Sequence, residues 1–253
     1  TVLTVGVARL RGEPYRNTAK FAIAVTAAAF LLELLVLLHP DMPIGDTLFH
    51  AHRFQDVLGG RYYFTSVAPG NYQFPYAPGL YVFAIPFAGL VRRGVADMTV
   101  LRVIVCAADA LAGLLLYGMA ARMRGDRLAG ALAVALYHLI PLGFGIMVVG
   151  NHTNAFAQSL SVAALALMAS AAVRWEHRTA VVGLTVVLAA AFLSHTGTFA
   201  IGSVAAVVIA LLFWWRGGPA LRSPAIAVLV AAVAAVVIAV VVHYAHFLPT
   251  HRS

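Results

Sequence analysis

The sequence predicts an all-α polytopic membrane protein, a transmembrane helix bundle with about seven spans. Three observations predict it. The 253 residues are 62% hydrophobic and only 10% charged, against about 45–50% apolar and about 25% charged in a soluble domain. Mean hydropathy is +0.90, and a globule of this length needs far more polar surface to cover itself. The apolar residues also fall in windows of about 20, the length that crosses a bilayer as helix. Together these exclude a soluble enzyme, a disordered tail and a disulfide scaffold.

Along the chain, residues 1–20 form a basic tail. Spans follow at Phe21–Leu38, Thr99–Ala121, Leu128–Gly150, Ala155–Val173, Thr179–Ser194, Gly197–Trp215 and Ala225–Tyr244. Residues 21–253 are thus one transmembrane domain. Its only long connection is the loop 39–98, and Ser194-His195-Thr196-Gly197 is a tight turn. The first apolar run is long and lacks a small-residue cleavage site after it, so it is a span rather than a signal peptide. The sequence opens at Thr1 and ends soon after an apolar helix, so we expect a longer chain around it.

The run Tyr76–Val91 needs arbitration, because it is apolar but short and contains Pro78, Gly79, Pro86 and Gly89. Cytoplasmic loops collect Lys and Arg. If the run does not span and the N-terminus is cytoplasmic, the inner side holds Arg9, Arg11, Arg16, Lys20, Arg122, Arg124, Arg127, Arg174, Arg178, Arg216 and Arg222. The outer side holds Arg53, Arg61, Arg92, Arg93, Arg102 and Arg252. That is 11 inside against 6 outside. If it spans, every later loop flips and the tally becomes 8 against 9. The seven-span arrangement wins, and Tyr76–Val91 becomes a helix lying along the outer membrane surface.

The same charges account for the formal net charge of +8 and the pI near 10.1. Spread over many short loops, they form no stripe for nucleic acid, and no nucleic-acid partner is expected. Cys106, the single cysteine, excludes an intrachain disulfide and a cysteine metal site.

On this topology His39, His50, His52, His152, His195, His243, His246 and His251 all fall at the outer side, with Asp41, Asp46, Asp56, Asn151 and Asn154. Polar groups converging at one membrane face suggest a site. Interfacial histidines also snorkel and end helices, which is the plainer reading. In the site reading Asp46, Asn151, His152, His195 and His243 turn into one wet cavity. Within the loop, Pro43 to Arg53 opens a helix, and Asp46, His50 and Arg53 share a face at spacings of four and three. Asp46 has two readings: a helix N-cap, or a carboxylate at the membrane edge that accepts a proton or binds a metal.

A basic tail, a first span and an early acid in a long outer loop precede the segment Tyr72-Gln73-Phe74-Pro75-Tyr76-Ala77-Pro78-Gly79-Leu80-Tyr81. A span opening with Leu101-Arg102 follows. Over about residues 21–216 this layout resembles the N-terminal membrane region of the type-C glycosyltransferases. Bacterial aminoarabinose and mannosyl transferases to lipid or protein are similar in outline. The resemblance implies a polyprenyl-phosphate-linked sugar donor, a lipid, glycan or protein acceptor, and surrounding membrane lipids as partners. It implies a multi-pass plasma (inner) membrane protein of the cell envelope, with a cytoplasmic N-terminus and an active site on the outer face. The family's catalytic acid corresponds to Asp46, its proline-aromatic surface helix to Phe74–Tyr81, and its second polar motif to Gly150-Asn151-His152-Thr153-Asn154. Thr47 stands where many members carry a second acid, and Asn and His where many have Asp. No cofactor is required on this reading, and a divalent metal is left open.

Asp46 is thus the expected base, with His50, Arg53, Asn151, His152 and His195 as substrate-binding residues. Asp46 would take the acceptor's proton, while Arg53, His50 or His195 would steady the departing phosphate. The alternative is a secondary transporter or a non-catalytic lipid-binding membrane protein, in which Glu33 and Asp109 inside spans would relay ions. In the transferase they would be packing contacts. His138 has no assigned role, His177 is a loop residue, and Asn151-His152-Thr153 is an accidental match to a glycosylation acceptor.

Overall fold

With no water in a bilayer to satisfy backbone polar groups, apolar segments must bond internally as helices. The computed structural model describes residues 15–43, 45–67, 73–171 and 178–251, and most of them are helical. Expectations about Arg9, Arg11, Tyr72, Arg174, His177 and Arg252 lie outside the described residues. The helices are α1 (Tyr15–Leu37), α2 (Thr47–Leu58), α3 (Gly79–Ala84), α4 (Ala88–Val91), α5 (Asp97–Arg124), α6 (Arg127–Leu139), α7 (Pro141–Val148), α8 (His152–Ala171), α9 (Arg178–Phe192), α10 (Thr196–Arg216) and α11 (Arg222–Val242). The architecture is all-α.

Five apolar stretches are long enough to cross a membrane: Asn17–Leu37, Asp97–Met123, Arg127–Val148, Thr196–Arg216 and Pro219–Val242. The expected seven are not all in that set. Helix α9 has 15 residues among those described, and α8 opens on a polar stretch with Asn154, Gln158, Ser159 and Ser161. The expected span Leu128–Gly150 is also not one helix. Pro141 lacks an N–H and pushes the residue before it out of helical geometry, so Ile140 sits at φ −73°, ψ 117° between α6 and α7.

The long loop holds more than surface helices. β1 (Thr65–Val67) and β2 (Gln73–Pro75) pair antiparallel, with Ser66 opposite Phe74. Pro75 and Pro78 delay the next helix to Gly79 rather than Tyr76, and it runs through a 3₁₀ turn into α4. Gly79–Val91 is an apolar helical stretch below spanning length.

Two cores hold these elements. In the first, Phe54 and Val57 of α2 and Leu80 and Tyr81 of α3 sit on Leu37, Leu101, Val105 and Phe156, at the ends of α1, α5 and α8. In the second, small residues let α8 to α11 approach closely: Ala189, Ala206, Ala210, Ala231, Ala235 and Ala239 are buried there. Leu160 of α8 packs against both. Between α5 and α6, Gly125 in the left-handed region and Asp126, whose carboxylate accepts the Leu128 N–H at 2.8 Å, make a tight hairpin.

Candidate functional site

The site is built where two turns meet backbone to backbone. Gly45-Asp46-Thr47 lies against Gly150-Asn151-His152, and both glycines have positive φ, +48° and +85°. A Cβ on Gly150 would stand 2.9 Å from the Thr47 nitrogen and 3.0 Å from that of Asp46. A side chain there meets both strain and backbone.

Beneath this contact the polar groups interlock. Thr47 Oγ1 and His152 Nε2 share a hydrogen bond of 3.3 Å. Arg102 donates to the Leu37 carbonyl at 2.6 Å and reaches Thr47 Oγ1 at 3.5 Å, tying α5 to the start of α2. His50 Nδ1 pairs with the Tyr81 hydroxyl at 2.7 Å, and the ring also bonds the Gly150 backbone. The His50 and His152 rings stand 5.4 Å apart. Burial pushes His50 down to about 4 and, with His50 and Arg102 adding repulsion, His152 down to about 3. Both imidazoles are therefore neutral at pH 7. Buried and hydrogen-bonded, they hold the two turns in place.

Asp46 occupies the N-cap position of α2, yet its side chain makes no capping hydrogen bond, and the residue is exposed. Its carboxylate is left for other work. Tyr76, whose hydroxyl is pushed up mainly by burial and bonds Thr153 Oγ1 at 3.1 Å, feels the charges of both Asp46 and Arg53. Arg53 lies over the Phe49 and Phe64 rings, 4.9 and 5.0 Å from their centroids, and donates to Asp56 at 3.0 Å. Arg61 pairs with the same carboxylate and, foremost through its hydrogen bond, holds Asp56 below the usual range. Two guanidiniums sharing one carboxylate leave a net positive charge there.

The structure thus brings Asp46, His50, Asn151 and His152 together and sets Arg53 beside Tyr76. It does not gather all the outer histidines. His195 caps α10, its Nδ1 accepting the Thr198 N–H at 3.3 Å. It lines a separate groove of about 460 Å³ between α8 and α10, polar at Asn154, Gln158 and Thr198 and apolar at Leu165, Ile201 and Ile209. His243 is buried beside Tyr63, which stacks on His246 with centroids 4.1 Å apart. His39 and His52 are exposed. The single cavity expected around Asp46, His195 and His243 is replaced by three groups.

Sequence reasoning missed Thr47, Tyr76, Tyr81, Arg102 and Thr153. Thr47 had entered only as a missing acid; its burial at the junction of α2, α5 and α8 explains a small hydroxyl there. Thr153 had entered within the second polar motif and a glycosylation match but with no role of its own, and the spacing of Tyr76 and Tyr81 carries no signal of their partners. Among the described residues, no set of three metal-donating side chains includes Asp46. No step below uses a divalent ion. No family model, curated protein or solved structure matches this chain.

Proposed function

We propose that the chain is the membrane region of a glycosyltransferase that moves a sugar from a polyprenyl-phosphate carrier to an acceptor on the outer side of the plasma membrane. The observation that carries this reading is the exposed Asp46, which makes no capping hydrogen bond and sits where the Gly45–Thr47 and Gly150–His152 turns meet; its charge, like that of Arg53, is felt at Tyr76. As the acceptor hydroxyl oxygen attacks the anomeric carbon, Asp46 takes its proton and the bond from that carbon to the phosphate oxygen breaks. Arg53 and Arg61, sharing Asp56, offset the charge of the departing polyprenyl phosphate. Thr47, His50, His152, Tyr81 and Arg102 are positioning residues. The groove between α8 and α10 suits the carrier: an apolar channel for the isoprenoid, with His195, Asn154 and Gln158 at its polar end.

Seven spans remain the topology of this proposal. Helix α8 has 20 residues, so it rises about 30 Å, the thickness of a hydrocarbon core. Counting α8 and α9 as spans keeps Arg174 and Arg178 inside with the other basic loops. The alternative, a transporter, is favoured by one feature: Glu33, Asp109 and His138 lie in apolar helices beside the α6–α7 break. Photo-crosslinking with a polyprenyl-phosphate sugar bearing a diazirine in its lipid separates the two. The transferase reading expects adducts on α8 and α10 near Leu165 and Ile201, displaced by unlabelled donor. Labelling spread evenly over lipid-facing helices, and undisplaced, would remove the groove from the proposal.

A further inference from the structure

The acids inside the bundle, Glu33 and Asp109, belong to a further polar cluster among the described residues. Glu33 of α1, Asp109 of α5 and His138 of α6 each offer a ligand atom, and these atoms lie within 4.8 Å of one another. All three are embedded. Glu33 is 6% and Asp109 8% exposed, and the His138 side chain is 4% exposed. They line a cavity of about 140 Å³ whose wall includes Ile140 and Gly143, at the break between α6 and α7. Its volume admits an ion with waters in its open coordination positions.

Each ligand is oriented by its surroundings. Tyr137 donates to Asp109 Oδ1 at 2.7 Å, turning Oδ2 toward His138 Nδ1, 3.5 Å away. Gly113 lets the imidazole seat directly on α5, because a Cβ there would collide with the ring. Glu33 bonds Asp109 and Cys106, yet its Oε2, buried and part of this cavity, has no partner. A buried carboxylate oxygen without a hydrogen-bond donor, in a cavity with a second carboxylate and an imidazole, offers a free ligand atom to a cation.

We propose that Glu33, Asp109 and His138 bind one divalent transition-metal ion, of the Zn²⁺ or Mn²⁺ class, inside the membrane-spanning bundle. Two carboxylates in an apolar bundle cannot both stay charged without a counter-ion. A single dication neutralises both. The Glu33–Asp109 hydrogen bond requires a proton on one of them, and the incoming ion replaces that proton, which is released. The imidazole selects a borderline metal over Na⁺, Mg²⁺ or Ca²⁺, which prefer all-oxygen shells. The proposal does not rest on the transferase reading: its three ligands are neither Asp46 nor residues of the groove at His195, although Gln158 lines both that groove and this cavity.

The test uses the full chain in detergent, stripped with chelator and dialysed against Zn²⁺ or Mn²⁺. Elemental analysis is expected to find one ion per chain, and calorimetry in two buffers a proton released on binding. Glu33→Gln and Asp109→Asn each weaken binding by at least ~10-fold, the lower end of what even an outer-shell partner is worth. Zinc X-ray absorption on the wild type, which needs no variant to fold, is expected to give one imidazole with oxygen donors. No stoichiometric uptake, unchanged affinity in both folded variants, or a shell of several imidazoles, which would put the ion among the outer histidines, overturns the proposal.

Discussion

Two imidazoles beneath Asp46 make the site sensitive to acid through stability rather than chemistry. His50 and His152 titrate near an ordinary 6.5 when unfolded but near 4 and 3 when folded, because burial disfavours their charged forms. The unfolded chain therefore binds protons first as pH falls. Their stabilisation is whole above pH 6.5 and is lost progressively from 6.5 down through 4 toward 3. The melting temperature in detergent is expected to be flat above 6.5 and to fall below it. His152→Gln, which cannot titrate, should reduce the fall, and a profile unchanged by that substitution would contradict the account. Arg53 makes a separate forecast. Arg53→Gln removes a charge-assisted contact of about 1.5–3 kcal/mol to an anionic donor. The donor's KM should rise more than tenfold with kcat less affected, and an unchanged KM would remove Arg53 from phosphate recognition.

At the scale of elements, the positioning device is the contact between the turn that opens α2 and the turn that opens α8. Gly150, at φ +85° and under 3 Å (through a built Cβ) from the Thr47 nitrogen, has no substitute. Gly150→Ala is expected to cost about 1–2 kcal/mol from backbone conformation alone, and more from the collision, read as a lower melting temperature with lost transfer. A variant with wild-type stability would show that the two turns do not pack as described. Little of this contact was legible in the sequence. Gly150-Asn151-His152 and Asp46-Thr47 each stood out as polar groups near helix starts, but nothing in their spacing across some hundred residues said that they touch. The broken span went unread: Leu128–Gly150 is apolar over the length of a span, and hydropathy does not register the backbone restriction that Pro141 places on Ile140. The ribbon pairing Ser66 with Phe74 gave no period-2 signal, since three-residue strands are too short for one.

For the whole molecule, composition alone fixed the class, because a chain this apolar and this long satisfies its backbone only as helices. The alternation of apolar runs predicts which residues lie at one membrane face, and on that prediction the histidines were grouped together. Hydropathy says nothing of azimuth around a bundle, which is why they separate into the His50–His152 pair, the His195 groove and the His243–His246 stack. The proposed topology has its own check. Cys106 is the single cysteine and is buried, so a second cysteine can be read cleanly. An impermeant maleimide added outside intact cells should label Phe87→Cys and leave Arg122→Cys untouched; the reverse pattern would invert the bundle. The central claim is that Asp46 performs the chemistry, and one substitution tests it most directly. Asn caps helices as well as Asp does, and the Asp46 side chain forms no cap bond to lose. Purified Asp46→Asn, assayed in liposomes with a polyprenyl-phosphate sugar and compared with wild type, is predicted to keep its melting temperature and donor binding while losing sugar transfer. Transfer by Asp46→Asn at the wild-type rate would contradict the account.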